Sequence, residues 1–152
     1  ETFVTKKIVS ALVKISLKKQ KKLYLGNIYA KRDWGHASDY IRAIWKILQQ
    51  RKPDDYVIAT GKNKTIKEFI NLVCKKLSMN IYWKGKGINE KALLKNKNTI
   101  IIECNKKYFR PSDVPYLKGD YTKAKKILKW KPMISLNQMI DEMIEFEKKL
   151  NN

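Results

Sequence analysis

The chain has 152 residues, of which 43% are hydrophobic and 32% charged, a balance that fits a globular protein with its own core and excludes a disordered chain. Its 34 Lys and Arg against 14 Asp and Glu give a formal charge of +20, yet only four of those cations are arginine: Arg32, Arg42, Arg51 and Arg110. Base reading and bidentate phosphate contacts favour arginine, and the lysines are spread along the chain without a basic tail, so weak, salt-sensitive adsorption to polyanions is expected but no specific nucleic-acid partner.

Residues 2–18 read as a helix with Val4, Ile8, Ala11, Leu12 and Ile15 on one face. Residues 23–25 are a short strand ended by a Gly26-Asn27 turn. After the loop Arg32-Asp33-Trp34-Gly35-His36, a helix over about residues 38–50 is expected to turn Ile41, Ile44, Trp45 and Leu48 inward. Lys52-Pro53-Asp54-Asp55 breaks it, and residues 56–60 read as a strand apolar enough to be buried on both faces. Thr65-x-x-Glu68 is a capping box that opens a helix with Ile66, Phe69, Ile70, Val73 and Leu77 on its apolar side. Residues 81–83 and 99–102 are strands around a polar, lysine- and asparagine-rich connection. A loop over 105–114 carries Arg110 and Pro111, and a short helix near 121–129 is stopped by Lys131-Pro132. Ser135-x-x-Gln138 caps a last helix with Leu136, Met139, Ile140, Met143, Ile144 and Leu150 on its buried side. Strands interleaved with helices, without a repeat, give the α/β class.

No apolar run approaches the roughly 18–20 residues that span a membrane, and no signal peptide is visible, so no membrane partner is expected. Cys74 and Cys104 lack a Cys-x-x-Cys partner and His36 is the lone histidine. The thiols therefore read as reduced, the compartment as cytoplasmic, and metal ligands as none. Tyr82 with Lys86 and Tyr121 with Lys125 match the Tyr-x-x-x-Lys pair of short-chain dehydrogenases, but eight tyrosines among so many lysines make chance matches expected. Gly85-Lys86-Gly87 is a turn rather than a phosphate cradle. His36 has no Ser or Cys partner and reads as structural. The residues by themselves give no catalytic constellation.

The segments ETFVTKK, LYLGN, AKRDWGHASDY, KPDDYVIATG, YFRPSDV and GDYTKAKKILKWKP, in this order across essentially all 152 residues, resemble the C-terminal part of the GDP-mannose 4,6-dehydratases, in the extended short-chain dehydrogenase/reductase superfamily. The resemblance implies that residues 1–152 form the C-terminal, nucleotide-sugar-binding portion of an NAD(P)-binding Rossmann-type enzyme, including its substrate-binding lobe. The N-terminal half, with the Gly-rich fingerprint, the cofactor contacts and the catalytic residues, would precede Glu1 and be absent from this chain. The implied reaction oxidises the C4 hydroxyl of GDP-mannose, eliminates water across C5 and C6, and returns hydride to C6, with NADP regenerated. The C4 carbonyl acidifies the C5 proton and so makes the dehydration possible. The full-length family implies a homo-oligomer.

The same resemblance implies the site. Arg32 matches an arginine on the GDP portion of the substrate, where a guanidinium can bridge two diphosphate oxygens and lysine cannot. Arg110 matches a second GDP-contacting arginine, and Lys7 a lysine facing that pocket. Asp113 stands where the family carries a glutamate for the ribose diol and reaches one methylene less. No catalytic and no cofactor-binding residue is implied here, so the chain alone is expected to be inactive. Trp34 is expected in the core at the loop base and Asp33 as the loop's anchor or the partner of a neighbouring cation, with Arg42 and Arg51 on helix surfaces. Another nucleotide-sugar dehydratase or epimerase, a non-catalytic remnant, and a basic nucleic-acid module remain the alternatives.

Overall fold

The structure, a computed structural model, describes residues 3–109 and 114–151. Its elements are α1 (Val4–Ser16), β1 (Leu23–Leu25), β2 (Lys31–Arg32), α2 (Ala37–Leu48), β3 (Lys64–Thr65), α3 (Ile66–Lys76), β4 (Ile81–Lys84), β5 (Lys91–Leu94), β6 (Thr99–Cys104), α4 (Thr122–Ile127) and α5 (Leu136–Asn151). Four strands make a mixed sheet in the order β1-β6-β5-β4. β1 runs parallel to β6, with Leu23 opposite Ile102 and Leu25 opposite Cys104, and the other pairings are antiparallel.

The main core is built from α1, α3, α5 and this sheet, around Ile8, Leu12, Phe69, Ile70, Ile102 and Ile140. α1 buries more of its circumference than its expected face, taking in Val9, Ser10 and Val13, because it packs on β1, α3 and α5 together. Both α1 and α3 end in a left-handed residue that is not glycine, Lys18 (φ 60°) and Ser78 (φ 55°). In each case the amide of that residue and that of the next one turn back to the last helical turn, as Lys19 N–H to the Lys14 carbonyl at 2.8 Å and Met79 N–H to that of Cys74 at 2.9 Å. The capping boxes form as the spacing dictates. Thr65 N–H donates to Glu68 Oε2 at 2.7 Å while Glu68 N–H donates to Thr65 Oγ1 at 3.0 Å. Ser135 and Gln138 do the same at 2.8 and 3.2 Å, each box stabilising by about 1 kcal/mol.

Among the described residues three carboxylates lie inside, and each holds a cation: Glu147 with Lys6, Glu90 with Lys67, and Asp39 with Arg42. Glu90 also accepts the Tyr29 hydroxyl, which raises the Tyr29 pKa. β5 replaces the polar connection expected between the strands. Its lysine and asparagine surroundings hide Ala92 and Leu93, which are buried, and Lys91 reaches Glu103 on β6 at 2.9 Å.

A second, smaller core gathers Ala43, Ala124, Leu128 and Trp130, flanked by Tyr40, Ile47, Tyr56, Ile58 and Tyr121. Here several expectations are corrected. α2 buries Asp39 and Ala43, while Ile41, Ile44, Trp45 and Leu48, expected inward, are 64%, 50%, 62% and 75% exposed. Residues 56–60 pair with no strand among the described residues and expose Val57. α4 stops at Ile127, with Lys129 left-handed (φ 49°) ahead of Lys131-Pro132. Leu150 faces solvent because α5 runs past the core that holds its first turns. Among the described residues no helix is long and apolar enough to cross a membrane.

Candidate functional site

Arg32 sits in a two-residue strand whose register sets Lys31 opposite Thr65 and Arg32 opposite Lys64. The other side of Lys31 pairs with residues 115–117: Lys31 N–H donates to the Pro115 carbonyl at 2.8 Å, and Leu117 N–H to the Lys31 carbonyl at 3.1 Å. Arg32 Nη1 donates to the carbonyls of Val114 at 2.6 Å and Lys31 at 2.9 Å. The guanidinium is thus drawn to the segment that follows Arg110 and Asp113. Those two residues lie outside the described residues.

Of the two expected roles, Asp33 takes that of the loop's anchor. Its Oδ1 accepts Thr60 N–H at 3.0 Å and the Thr60 hydroxyl, and its Oδ2 accepts Gly61 N–H at 2.9 Å and Gly119 N–H at 3.3 Å. Gly61 has φ +72°, and a side chain at Gly119 would overlap the Ala59 methyl, so both glycines are needed for the two chains to close on one carboxylate. Trp34 packs on the core with its ring 5.0 Å from that of Phe69. His36 caps α2: its Nδ1 accepts Ser38 N–H at 3.2 Å, which leaves Nε2 to donate to Glu142 at 2.9 Å. The histidine is structural.

Arg32 and Trp34 line a cleft of about 880 Å³, large enough for a nucleotide sugar. Lys62, Lys64 and Lys118 join Arg32 on its walls, Tyr121 adds an aromatic face, and none of the described lining residues is a carboxylate. Residues 132–137 close the far side and are held there by Asp39, whose Oδ2 accepts the Met133 and Ile134 amides at 2.9 Å each. Burial pushes the Asp39 pKa up, but those two amides and Arg42 outweigh it and hold the carboxyl below the usual aspartate range. Among the described lining residues an anion entering this cleft meets four cations, which favours a phosphate or diphosphate group.

Lys7 stands elsewhere. It lies 4.1 Å over the Tyr108 ring and lines a separate hollow of about 240 Å³ with Lys14, Lys22, Gln20 and Tyr24. The structure therefore puts Lys7 and Arg32 in different hollows. Sequence reasoning missed Lys62, Lys64, Lys118 and Tyr121. Residue type gave no signal for them in so lysine-rich a chain; the one positional clue is that Lys62 and Lys64 precede the Thr65 capping box, with Lys64 in β3 opposite Arg32.

Of the two Tyr-x-x-x-Lys matches, Tyr82 donates its hydroxyl to Asn98 at 2.9 Å. Tyr121 precedes α4 edge-on to Trp130, with ring centroids 5.8 Å apart. Cys74 and Cys104 are free and buried; burial pushes the Cys74 thiol up to about 12, and burial with the nearby Glu90 raises that of Cys104.

Two solved structures share this architecture: the Pseudomonas aeruginosa protein RMD complexed with NADPH (TM-score 0.78, 16% identity, 98% of this chain and 43% of that one), and UDP-glucose 4-epimerase from Bifidobacterium longum with NAD+ and UDP (TM-score 0.73, 16% identity, all of this chain and 41% of that one). The chain therefore shares the α/β fold of the matching, Rossmann-type parts of these proteins. The family model for GDP-mannose 4,6 dehydratase matches residues 1–143. GDP-mannose 4,6 dehydratase 2 of Caenorhabditis elegans is 44% identical over 145 residues, 95% of this chain and 37% of the relative, and the Homo sapiens enzyme is 40% identical over 148 residues, 97% and 40%. The chain belongs to the GDP-mannose 4,6-dehydratase family. It spans about two fifths of the length of these curated relatives.

Proposed function

We propose that this chain is the nucleotide-sugar-holding part of a GDP-mannose 4,6-dehydratase, a hydro-lyase that converts GDP-mannose to GDP-4-keto-6-deoxymannose. The observation that carries the reading is Arg32, fixed by β2 and by the Asp33 anchor at the wall of a cleft whose described lining includes three lysines beside it, in a chain of this family. Arg32 takes the diphosphate through its planar fork, and the neighbouring lysines neutralise the remaining charge. Arg110 and Asp113 complete the ligand set as a second cation and a ribose acceptor. Lys7 contributes from its own hollow.

NADP is the cofactor of this reading, and the likeness to a protein complexed with NADPH supports a nicotinamide dinucleotide. The described residues do not fit it. Gly85 and Gly87, the one Gly-x-Gly pair in the chain, close the turn between β4 and β5, where a Cβ on Gly85 would lie 2.5 Å from the Asn89 carbonyl and no α-helix opens to receive a pyrophosphate. No chemical step is therefore assigned to this chain; its work is to bind and orient the sugar nucleotide. The cofactor half, a homo-oligomeric assembly and a cytoplasmic location complete the proposal, the last supported by two free thiols.

Calorimetric titration with GDP-mannose, GDP, UDP-glucose and a short DNA duplex, each at two salt concentrations, tests it. GDP-mannose and GDP should bind in preference to UDP-glucose, and the chain with added NADP should show no turnover. Preference for the duplex with a steep salt slope, or turnover by the isolated chain, would falsify the reading.

A further inference from the structure

α5 carries a second apolar stripe besides the one it turns to the core. Met139, Met143, Phe146 and Leu150 follow one another at intervals of four, three and four residues, the spacing of a coiled-coil seam. The two methionines are half-buried against the core, while Phe146 and Leu150 are 55% and 63% exposed. Ile140, Ile144 and Glu147, further round the helix, are the residues that hold α5 to its own chain. Phe146 and Met143 form, with Lys6, Glu142 and Glu147, a hollow of about 200 Å³, open to an apolar side chain from outside.

The charges along the helix select what covers the seam. Each of α1 to α4 carries more lysine and arginine than carboxylate, whereas α5 has Asp141, Glu142, Glu145 and Glu147 against Lys148 and Lys149. Among the described helices it is therefore the one on which another strongly basic chain can settle without cation meeting cation, and a polyanion would be repelled there. The charges are also ordered, with the exposed carboxylates Glu142 and Glu145 ahead of the two lysines. In a second α5 laid antiparallel across a two-fold axis, Phe146 meets the copy's Met143 and Leu150 its Met139, and Glu142 comes opposite the copy's Lys149, twice by symmetry. A parallel alignment would set carboxylate beside carboxylate.

We propose that the Met139–Met143–Phe146–Leu150 face of α5 is a homodimer contact, antiparallel α5 on α5, flanked on its open side by Glu142–Lys149 pairs between the copies. Such a helix pair buries on the order of 1,000 Å² in total, the low end of specific interfaces, so the dimer is weak and forms at micromolar concentrations. The contact gives the homo-oligomeric assembly proposed above a surface, and it needs no sugar nucleotide.

Sedimentation equilibrium of this chain over about 1–300 μM tests it. The expected result is a monomer–dimer equilibrium. Phe146→Lys and Leu150→Lys, both at exposed positions, should each weaken it by about tenfold or more while the far-ultraviolet circular dichroism stays unchanged. Glu142→Lys and Lys149→Glu should each weaken it by about fivefold, and the two combined, which restore the pair in reverse, should return it to within about twofold of the unaltered chain. Ile44→Lys, on the exposed stripe of α2, should leave the dimer intact. A chain that stays monomeric, a dimer that Phe146→Lys and Leu150→Lys both spare, or charge variants whose losses add instead of cancelling each overturns the proposal. So does a dimer lost only in Ile44→Lys, since the contact then lies on α2. GDP-mannose enters none of these readouts, so a failure here leaves the nucleotide-sugar assignment standing.

Discussion

Asp33 Oδ1 accepts the backbone N–H of Thr60 at 3.0 Å, joining two segments 27 residues apart. With Gly61 and Gly119 on its other oxygen, this carboxylate holds the strand that carries Arg32 against the wall of the cleft. The arginine's placement is therefore decided one residue away from it.

Asp33→Ala should leave three backbone amides without their acceptor, at a cost of about 2–4 kcal/mol, less than the sum of about 1–3 kcal/mol for each fully stranded group because these part-buried amides regain water in place of the carboxylate. Urea denaturation would measure this as a lower midpoint at unchanged slope. In the same variant GDP-mannose affinity should fall although Asp33 is not a proposed ligand contact.

Arg32→Lys keeps the charge and removes the fork. GDP-mannose affinity should drop by about tenfold or more, whereas Lys31→Arg should change it by about twofold or less. Because Lys7 lines a different hollow, Lys7→Gln combined with Arg32→Lys should give additive losses, within about 0.5 kcal/mol. Calorimetry on the two single variants and the double variant checks it; coupling well above that margin would show that both cations reach one group.

Asp39 makes stability depend on acid. Its carboxyl is lowered in the fold, so the stabilisation it gives is complete above the unfolded aspartate value of about 3.9 and is lost as pH falls through the lower folded value. Asp39→Asn should cost about 1–3 kcal/mol at pH 7 and markedly less at pH 3. Denaturant melts of both proteins at the two pH values read the difference, and a gap that stays constant would remove the assignment.

The thiols offer a check on packing. With Cys74 pushed up to about 12 and Cys104 also raised, neither should titrate with a thiol reagent at pH 8 over minutes in the native chain, while both should in denaturant. Rapid reaction of one thiol in the native chain would mean that the core around it opens.

Much of this was legible in the chain. The Thr65 and Ser135 boxes, the strand at 23–25 and the apolar sides of α1, α3 and α5 all follow from local spacing, because their partners lie within the same 152 residues. α2 has an equally clear stripe, but periodicity shows that a face is apolar and not what covers it. Residues 56–60 failed for the same reason, since a strand is completed only by its neighbour. β5 was hidden because Lys91-Ala-Leu-Leu94 sits among lysines and asparagines, and its pairing with β6 is a tertiary matter. At the site, Arg32 could be found because arginine is scarce, whereas Lys62, Lys64 and Lys118 are invisible in a chain with thirty lysines.

The inward carboxylates have a consequence for the exterior. Asp39, Glu90 and Glu147 are each engaged with a cation at or below the surface, which leaves few negative groups to offset the ammonium groups outside. Mutual repulsion across that exterior works against the compact state when ionic strength is low. The folded chain should therefore melt higher as sodium chloride is added, and higher still with a multivalent counter-ion such as sulfate.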